Sequence, residues 1–208
     1  TAEGSQFGLV RRGEDLGRFR LRAPGPHNVL NATAAAAIAL ELEIAPDAIR
    51  TGLEEFVSVD RRFQLRGREG GVAVVDDYGH HPTEIRATLD AARLGGYRRV
   101  HVLFQPHRYT RTAQLMDDFA QSFEKADTVL VLDIYAASEP PIPGVTAQAL
   151  VERIAERGHR GAEYAGTIAR AVERADELAS AGDLVITLGA GNVWQAGDVL
   201  LARRRGRG

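Results

Sequence analysis

From Phe63 onward, short apolar runs alternate with helical patterns, and this alternation limits the possible folds more than any other feature of the sequence. Each run is apolar almost throughout, which is typical of strands buried on both faces of a parallel sheet. The sequence predicts such strands at 71–77, 98–104, 128–133 and 183–188. Helices are predicted between and after them, at 82–93, 113–124, 146–157, 167–179 and 193–203. The alternation favours a doubly wound α/β domain with right-handed crossovers.

The residues before Phe63 follow a different pattern. Two alternating runs flank a glycine-containing turn and predict a β-hairpin, and two helical stretches follow it. The predicted strands are 5–11 and 18–22, and the predicted helices are 28–43 and 46–56. The apolar face of the first helix is expected to hold Leu30, Ala34, Ala37 and Leu40.

This change of pattern marks the expected domain boundary. Two strands and two helices would leave apolar faces uncovered, and the sequence starts at Thr1 in the middle of a strand-like pattern. We therefore expect residues 1–62 to be the end of an incomplete domain and residues 63–208 to form a complete one. The chain as a whole is expected to be part of a longer polypeptide.

Composition excludes several classes of function. The 26 basic and 28 acidic side chains leave a net charge of -2, so no overall positive field is present to hold a nucleic acid. The chain has no cysteine, which excludes thiolate metal sites and cysteine nucleophiles and favours a reducing compartment, the cytoplasm. No apolar stretch approaches membrane-spanning length, and the charged residues near the start argue against a signal peptide.

Lysine is almost absent. Lys125 is the one lysine among the 26 basic residues, and the chain contains no G-x-x-x-x-G-K-[ST] phosphate loop.

Polar side chains cluster where the predicted strands end, which is the edge at which open parallel sheets bind their ligands. The first cluster, at 76–82, holds two acids, a tyrosine and two histidines, a set suited to metal binding, general base catalysis or recognition of a polar ligand. A carboxylate there is a frequent partner of ribose hydroxyls. Zinc bound by this loop alone is disfavoured, because His80 and His81 are adjacent and cannot both face one metal from a regular element. Ordinary loop chemistry, with Asp76 as a cap, is the structural alternative.

A second cluster follows the next strand and contains Arg108 and Arg111, with His107 and Tyr109 beside them. Two guanidinium groups at the start of a helix predict a clamp for a carboxylate or a phosphate.

Two further motifs each allow two interpretations. His27, Asn28 and Asn31 lie at a predicted helix start, where the amides suit the edge of an adenine, but where Asn28 is equally suited to cap the helix. The Gly189–Asn192 segment resembles half of a glycine-rich dinucleotide loop and is equally compatible with a tight strand-to-helix turn.

At these same residues the chain closely resembles the Mur ligase family. The matching segments are Gly25–Ala32, Arg61–Phe63, Asp76–Glu84, Phe104–Arg111 and Gly189–Asn192. The resemblance runs from about residue 5 to residue 202. Within the family, D-D-Y-G-H-H-P-T-E and F-Q-P-H-R-Y-T-R resemble the branch that adds L-alanine to UDP-N-acetylmuramate.

The resemblance implies an ATP-dependent amide ligase of peptidoglycan precursor synthesis, in which L-alanine attacks an acyl-phosphate of the muramate. Residues 1–62 would then be the end of the central ATP-binding domain, and residues 63–208 a Rossmann-like amino-acid-binding domain. The implied partners are UDP-N-acetylmuramate, L-alanine, ATP and the rest of the enzyme, in the bacterial cytoplasm. Magnesium would accompany ATP, with most of its ligands, and the phosphate loop, outside this sequence.

The resemblance also implies residue roles. Those implied for ATP binding are His27, Asn28, Asn31, Arg62 and Asp77. Those implied for the amino acid pocket are Tyr78, His80, His107, Arg108 and Arg111, with the last three positioning the substrate as the domain closes. No residue is expected to act as an independent catalyst or to bind metal in this part. Two alternatives remain, a Mur-type ligase for another amino acid or peptide, and a nonenzymatic nucleotide-binding module.

Because the phosphate loop is absent from these 208 residues, we expect the isolated chain to have no ligase turnover. The measurement is phosphate release in the presence of ATP, UDP-N-acetylmuramate and L-alanine. Alanine-dependent release above the background without enzyme would contradict this expectation.

Overall fold

A computed structural model describes residues 4–56 and 59–207. The chain divides into two compact units, one up to Asp60 and one from Arg61 onward. Of the helices in the described ranges, none is long and apolar enough to cross a lipid bilayer.

The first unit is a β-hairpin packed with two helices. Its elements are β1 (Ser5–Arg11), β2 (Glu14–Leu21), α1 (Pro26–Glu41) and α2 (Pro46–Glu55). The strands are antiparallel, and a small core forms around Phe19, Ala36 and Ile49. Arg50 of α2 lies over the Phe19 ring and donates hydrogen bonds to the carbonyls of Leu16 and Arg18. The assignment of this unit to an ATP-binding domain remains a prediction.

Helix α1 differs from the prediction in its start and in its buried face. It begins at Pro26, and its N-cap is Gly25, whose φ of 99° is open to glycine and costly for other residues. The buried residues are Ala32 and Ala36, whereas Leu30, expected on the buried face, is 70% exposed. Alanine occurs all round this helix, so periodicity could not identify the face that packs.

The second unit confirms the predicted α/β class. Its elements are β3 (Gln64–Glu69), β4 (Val72–Asp77), α3 (Pro82–Leu94), β5 (Val100–Phe104), α4 (Tyr109–Gln114), α5 (Met116–Ala120), β6 (Thr128–Leu132), α6 (Ala147–Glu156), β7 (Ala162–Gly166), α7 (Ile168–Leu178), β8 (Leu184–Leu188) and α8 (Trp194–Arg205). The sheet order is β3-β4-β8-β5-β6-β7, with β3 antiparallel and the other strands parallel.

Strands β3 and β7 were not predicted, because they lie at the two edges of the sheet. Their residues are mostly half-buried or exposed, so they lack the continuous apolar runs that mark strands covered on both faces. The four predicted strands are β4, β5, β6 and β8, and they form the buried centre.

Successive residues of the central strands pack into two separate cores, one on each face of the sheet. Phe104 belongs to the core covered by α3, α5 and α6, whereas Leu103 belongs to the core covered by α7 and α8. This alternation is the two-residue period of a strand, and it makes the domain three layers thick.

The prediction of a single helix over 113–124 is wrong in its extent. The chain instead forms α4 and α5, separated at Leu115, whose φ of -116° and ψ of 18° lie outside the helical range. Asp117 and Asp118 follow at the start of α5, where carboxylates are favoured by the helix dipole.

The aromatic centre of one core gives a direct test of this packing. Phe104 is fully buried, with its ring centroid 5.5 Å from that of Phe119 and 5.2 Å from that of Phe123. Phe104→Ala should lower the free energy of unfolding by about 3–5 kcal/mol, because it removes apolar contacts and leaves a cavity. Fluorescence of Trp194, the single tryptophan, reports this unit during denaturant unfolding.

The matched control is Leu94→Ala, since that side chain is 59% exposed. It should change the free energy of unfolding by less than about 0.5 kcal/mol. Equal effects of the two substitutions would contradict the packing described for this core.

Candidate amino acid and nucleotide sites

A groove lies where the central strands end. Strands β4, β5 and β8 are parallel neighbours, so the segments that follow them meet at one edge of the sheet. The groove has a volume of about 660 Å³, within the usual range for small-molecule sites. The five residues predicted for the amino acid pocket all line it: Tyr78, His80, His107, Arg108 and Arg111.

Aromatic rings form a continuous series along the groove. Tyr78 meets His80 edge to face with 5.2 Å between ring centroids, and His80 lies 5.9 Å from His107. His107 in turn stacks on Tyr135 with the rings nearly parallel and 5.5 Å apart. The backbones of His107 and Tyr135 also pair as an isolated parallel bridge. The rings are therefore held by both packing and backbone hydrogen bonds.

The two arginines lie three residues apart, one at the N-cap of the short helix α4 and one within it. Arg108 is its N-cap, with a φ of 74° that is uncommon for a residue other than glycine, and its N–H donates to the Tyr135 carbonyl at 2.8 Å. Arg111 lies in the last turn, with Nη1 3.4 Å from His107 Nδ1. The Arg111 guanidinium therefore contacts the side chain of His107, whose chain neighbour is Arg108.

An acid from a distant loop balances part of this charge. Glu139 Oε1 lies 3.5 Å from Arg108 Nη1, and the Glu139 carboxylate accepts hydrogen bonds from the N–H and the hydroxyl of Thr110. The sequence offered no signal for Glu139, because it lies 31 residues from Arg108 in the chain.

The protonation states of His107 and Glu139 affect the charge of the groove. Burial, followed by the charges of Arg111 and His80, lowers the pKa of His107, so its ring is neutral at pH 7. The hydrogen bond from the Thr110 N–H lowers the pKa of Glu139 and outweighs the opposing effect of burial. The Glu139 carboxylate therefore stays ionised. Two guanidinium groups against one carboxylate leave a net positive groove suited to a small anion.

Asp77 is the buried acid of the neighbouring segment. It is 5% exposed, and it accepts the N–H of Gly79 at 2.7 Å and that of Phe63 at 2.8 Å, one on each carboxylate oxygen. Burial raises its pKa to about 6, although these two N–H groups, the charge of Arg62 and the Thr88 hydroxyl act in the opposite direction. A carboxylate oxygen can accept a second hydrogen bond, so a ribose hydroxyl remains a chemically suitable partner.

The other residues predicted for ATP binding occupy varied positions. Arg62 belongs to the same unit as Asp77, is half-exposed, and has Nη1 4.0 Å from Glu84 Oε1. In the first unit, His27, Asn28 and Asn31 lie in the first two turns of α1. Asn28 is not the cap: its amide donates to the Pro24 carbonyl at 2.7 Å and fixes the turn, whereas Asn31 is exposed.

His81 has a structural role. Its Nδ1 accepts the N–H of Thr83, and the Glu84 carboxylate accepts the N–H of His81, so the two residues form a capping box at the start of α3. In the described ranges, no group of three or more His, Asp or Glu side chains is placed to hold a metal ion.

Sequence reasoning assigned no role to Arg61, although its neighbour Arg62 was singled out. Its Nε donates to Asp76 Oδ2 at 2.8 Å, and its two Nη atoms donate to the carbonyls of Gly189 and Gly191. The Gly189–Asn192 segment therefore turns two of its carbonyls toward an arginine as the chain leaves β8. Arg61 and Gly189 are 128 residues apart in the chain, so only the three-dimensional structure reveals this contact.

The protonation of Asp77 gives the second test. Since its pKa of about 6 exceeds the unfolded value of about 3.9, the folded state binds the proton more tightly. This contribution to stability is fully present below about pH 4 and is lost as the pH rises through about 6. The loss amounts to roughly 3 kcal/mol for a shift of about two pH units. The ¹³Cγ resonance of Asp77 should titrate with a midpoint near 6.

Asp77→Asn provides the control, because the variant cannot titrate at this position. The free energy of unfolding is measured by Trp194 fluorescence at pH 4 and at pH 7. Between these two values it should fall less in Asp77→Asn than in the wild type. A midpoint below 4, or an equal fall in both proteins, would contradict the buried position of this carboxyl.

The chain is similar in sequence to proteins named as UDP-N-acetylmuramate–L-alanine ligases. The UDP-N-acetylmuramate–L-alanine ligase of Solibacter usitatus is 67% identical over 204 residues, which are 98% of this chain and 43% of that protein. The ligase of the same name from Koribacter versatilis is 55% identical over 199 residues, 96% of this chain and 42% of that protein. The chain thus spans less than half the length of these relatives.

Solved structures show the same similarity. The UDP-N-acetylmuramate-alanine ligase MurC of Thermotoga maritima matches with a TM-score of 0.80 at 26% identity, over 100% of this chain and 44% of that one. A murein peptide ligase of Psychrobacter arcticus matches with a TM-score of 0.67 at 25% identity, over 97% of this chain and 42% of that one. The family model described as "Mur ligase, glutamate ligase domain" matches residues 61–191, and the chain belongs to the Mur ligase family.

Proposed function

We propose that the chain is part of an ATP-dependent amide ligase that adds L-alanine to UDP-N-acetylmuramate, and that the groove binds the L-alanine. The observation that carries this proposal is the presence of Arg108 and Arg111 in one groove beside a neutral His107. The names of the relatives support the choice of substrates. The reaction belongs to peptidoglycan precursor synthesis in the bacterial cytoplasm, and thus to cell shape and division.

The groove residues bind and orient the amino acid. The two guanidinium groups pair with the alanine carboxylate, which fixes one end of the molecule and leaves its amine free. The rings of Tyr78, His80 and His107 border the remaining space. Because His107 is neutral, it does not repel the amino group. Catalysis of this kind rests on positioning and on charge neutralisation, and it requires no nucleophile from the chain.

For ATP, the proposal keeps the residue roles that the family resemblance implies. Asp77 is assigned to the ribose hydroxyls, Arg62 to a positive charge near the nucleotide and Asn31, in the first unit, to the adenine edge. His27 and Asn28 shape the start of α1, where Asn31 lies. ATP, when bound, supplies the phosphoryl group that activates the muramate carboxylate as an acyl-phosphate. The proposal assigns no magnesium ligand to the described residues and leaves UDP-N-acetylmuramate to the rest of the enzyme.

Arg108→Ala tests the proposal in the full-length ligase that contains this chain. Loss of a charge-assisted hydrogen-bond pair to a carboxylate costs about 1.5–3 kcal/mol, so the KM for L-alanine should rise roughly tenfold to hundredfold. Arg111→Ala should act in the same direction, while the KM for ATP stays within about twofold. The measurement is steady-state phosphate release at varied L-alanine concentration.

Arg153→Ala is the matched control, because Arg153 is a half-exposed arginine of α6 that pairs with Asp117 and does not line the groove. Its kinetic constants should equal those of the wild type. Unchanged alanine constants in Arg108→Ala would favour a nonenzymatic module and contradict the proposal. Higher kcat/KM with glycine, serine or a peptide than with L-alanine would identify a Mur-type ligase with another substrate.

A further inference from the structure

Arg61 joins the ends of two neighbouring strands beside the groove. Its Nε pairs with Asp76, which is 1% exposed and also accepts the Thr187 hydroxyl at 2.6 Å. Asp76 lies in β4 and Thr187 in β8, and these two residues are register partners in the sheet. The guanidinium then continues past the end of β8 to the carbonyls of Gly189 and Gly191, at 2.6 and 3.3 Å. One side chain thereby fixes the segment after β8 to the end of β4.

The same arginine holds the first ring of the groove. Its guanidinium carbon lies 5.0 Å from the centroid of the Tyr78 ring, in cation–π geometry. The Arg61 carbonyl also accepts the Tyr78 N–H at 2.6 Å. Tyr78 packs against His80, and His80 against His107, so the position of Tyr78 affects the whole series of rings. Arg61 has a φ of 63°, a left-handed conformation that requires support from its surroundings.

The segment after β8 supports the other end of the ring series. A side chain at Gly191 would place its Cβ 2.8 Å from Cγ of Tyr135 and closer still to Gln105 Oε1. Tyr135 and Gln105 therefore pack against bare backbone, and Tyr135 carries the stacked His107 ring. By holding the Gly191 carbonyl, Arg61 fixes the surface on which Tyr135 rests.

We propose that Arg61 is a positioning residue of the amino acid groove, acting through Tyr78 on one side and through the Gly189–Gly191 backbone on the other. It does not line the groove and acts on the bound amino acid only through these neighbours. The inference rests on the proposed function, because it gives the groove an amino acid to position. Loss of Arg61 loosens both ends of the ring series while leaving Arg108 and Arg111 in the chain.

The experiment compares Arg61→Gln and Arg61→Lys in the full-length ligase. Arg61→Gln should raise the KM for L-alanine about tenfold, with kcat and the KM for ATP within about twofold of the wild type. Arg61→Lys keeps the charge opposite Asp76 but cannot reach the carbonyls of both Gly189 and Gly191. Its KM for L-alanine should therefore lie between those of the wild type and Arg61→Gln. Arg66→Gln is the matched control, since it breaks another Arg–Asp pair of this unit, Arg66–Asp198, away from the groove lining. Its constants should not change.

A purely structural role would lower kcat in proportion to the folded fraction, measured by Trp194 fluorescence, and would leave the KM for L-alanine unchanged. That result, or an unchanged KM in both variants, overturns the inference. If Arg61→Gln does not fold, the KM of Arg61→Lys decides.

A different result would contradict the proposed function itself, namely no alanine-dependent phosphate release by the wild-type ligase. The ring resonances of His80 and His107 in ¹³C-histidine-labelled protein then decide the positioning role. They should shift in Arg61→Lys and stay in place in Arg66→Gln. Unshifted resonances in Arg61→Lys overturn the inference.

Discussion

The insertion of β8 between β4 and β5 is the constraint on which the second unit depends. This strand is the last of the sheet in sequence, yet each of its five residues pairs with a residue of both neighbours. Without β8 the sheet would separate into β3-β4 and β5-β6-β7. A buried carboxylate anchors its start, because Asp183 accepts hydrogen bonds from Arg98, Arg99 and the Ser180 N–H. At its other end, Arg61 ties the departing chain to Asp76. The groove therefore exists only in the completed sheet.

The electrostatic character of the groove follows from that geometry. One segment, 107–111, contributes its two arginines and its neutral histidine, and the balancing carboxylate of Glu139 comes from a loop 31 residues from Arg108. The backbone of Arg108 is held by the Tyr135 carbonyl, and the start of α4 by Glu139, so the backbone that carries both arginines is held before any ligand arrives. A backbone held in this way loses little conformational freedom on binding, which is a usual basis of pre-organised recognition. Two guanidinium groups in one groove suit a small anion, and the proposed function assigns them the carboxylate of the amino acid.

Sequence patterns predicted the central strands and five groove residues because both leave local signals. A strand buried on two faces is continuously apolar, and polar residues directly after such strands must converge at one sheet edge. Edge strands β3 and β7 leave no such run, and an alanine-rich helix such as α1 does not show which face packs. The contacts of Arg61 and Glu139 could not be predicted from the sequence for another reason. Their partners lie far away in the chain, so the fold alone brings them together.

In the proposed function, Arg108 and Arg111 bind the carboxylate of the amino acid substrate. A crystal structure of the full-length ligase with L-alanine and a nonhydrolysable ATP analogue tests it most directly. We expect the alanine carboxylate within hydrogen-bonding distance of both guanidinium groups, with the methyl group of alanine beside the Tyr78, His80 and His107 rings. Alanine bound elsewhere, with Arg108 still paired to Glu139 and Arg111 to His107, would contradict it.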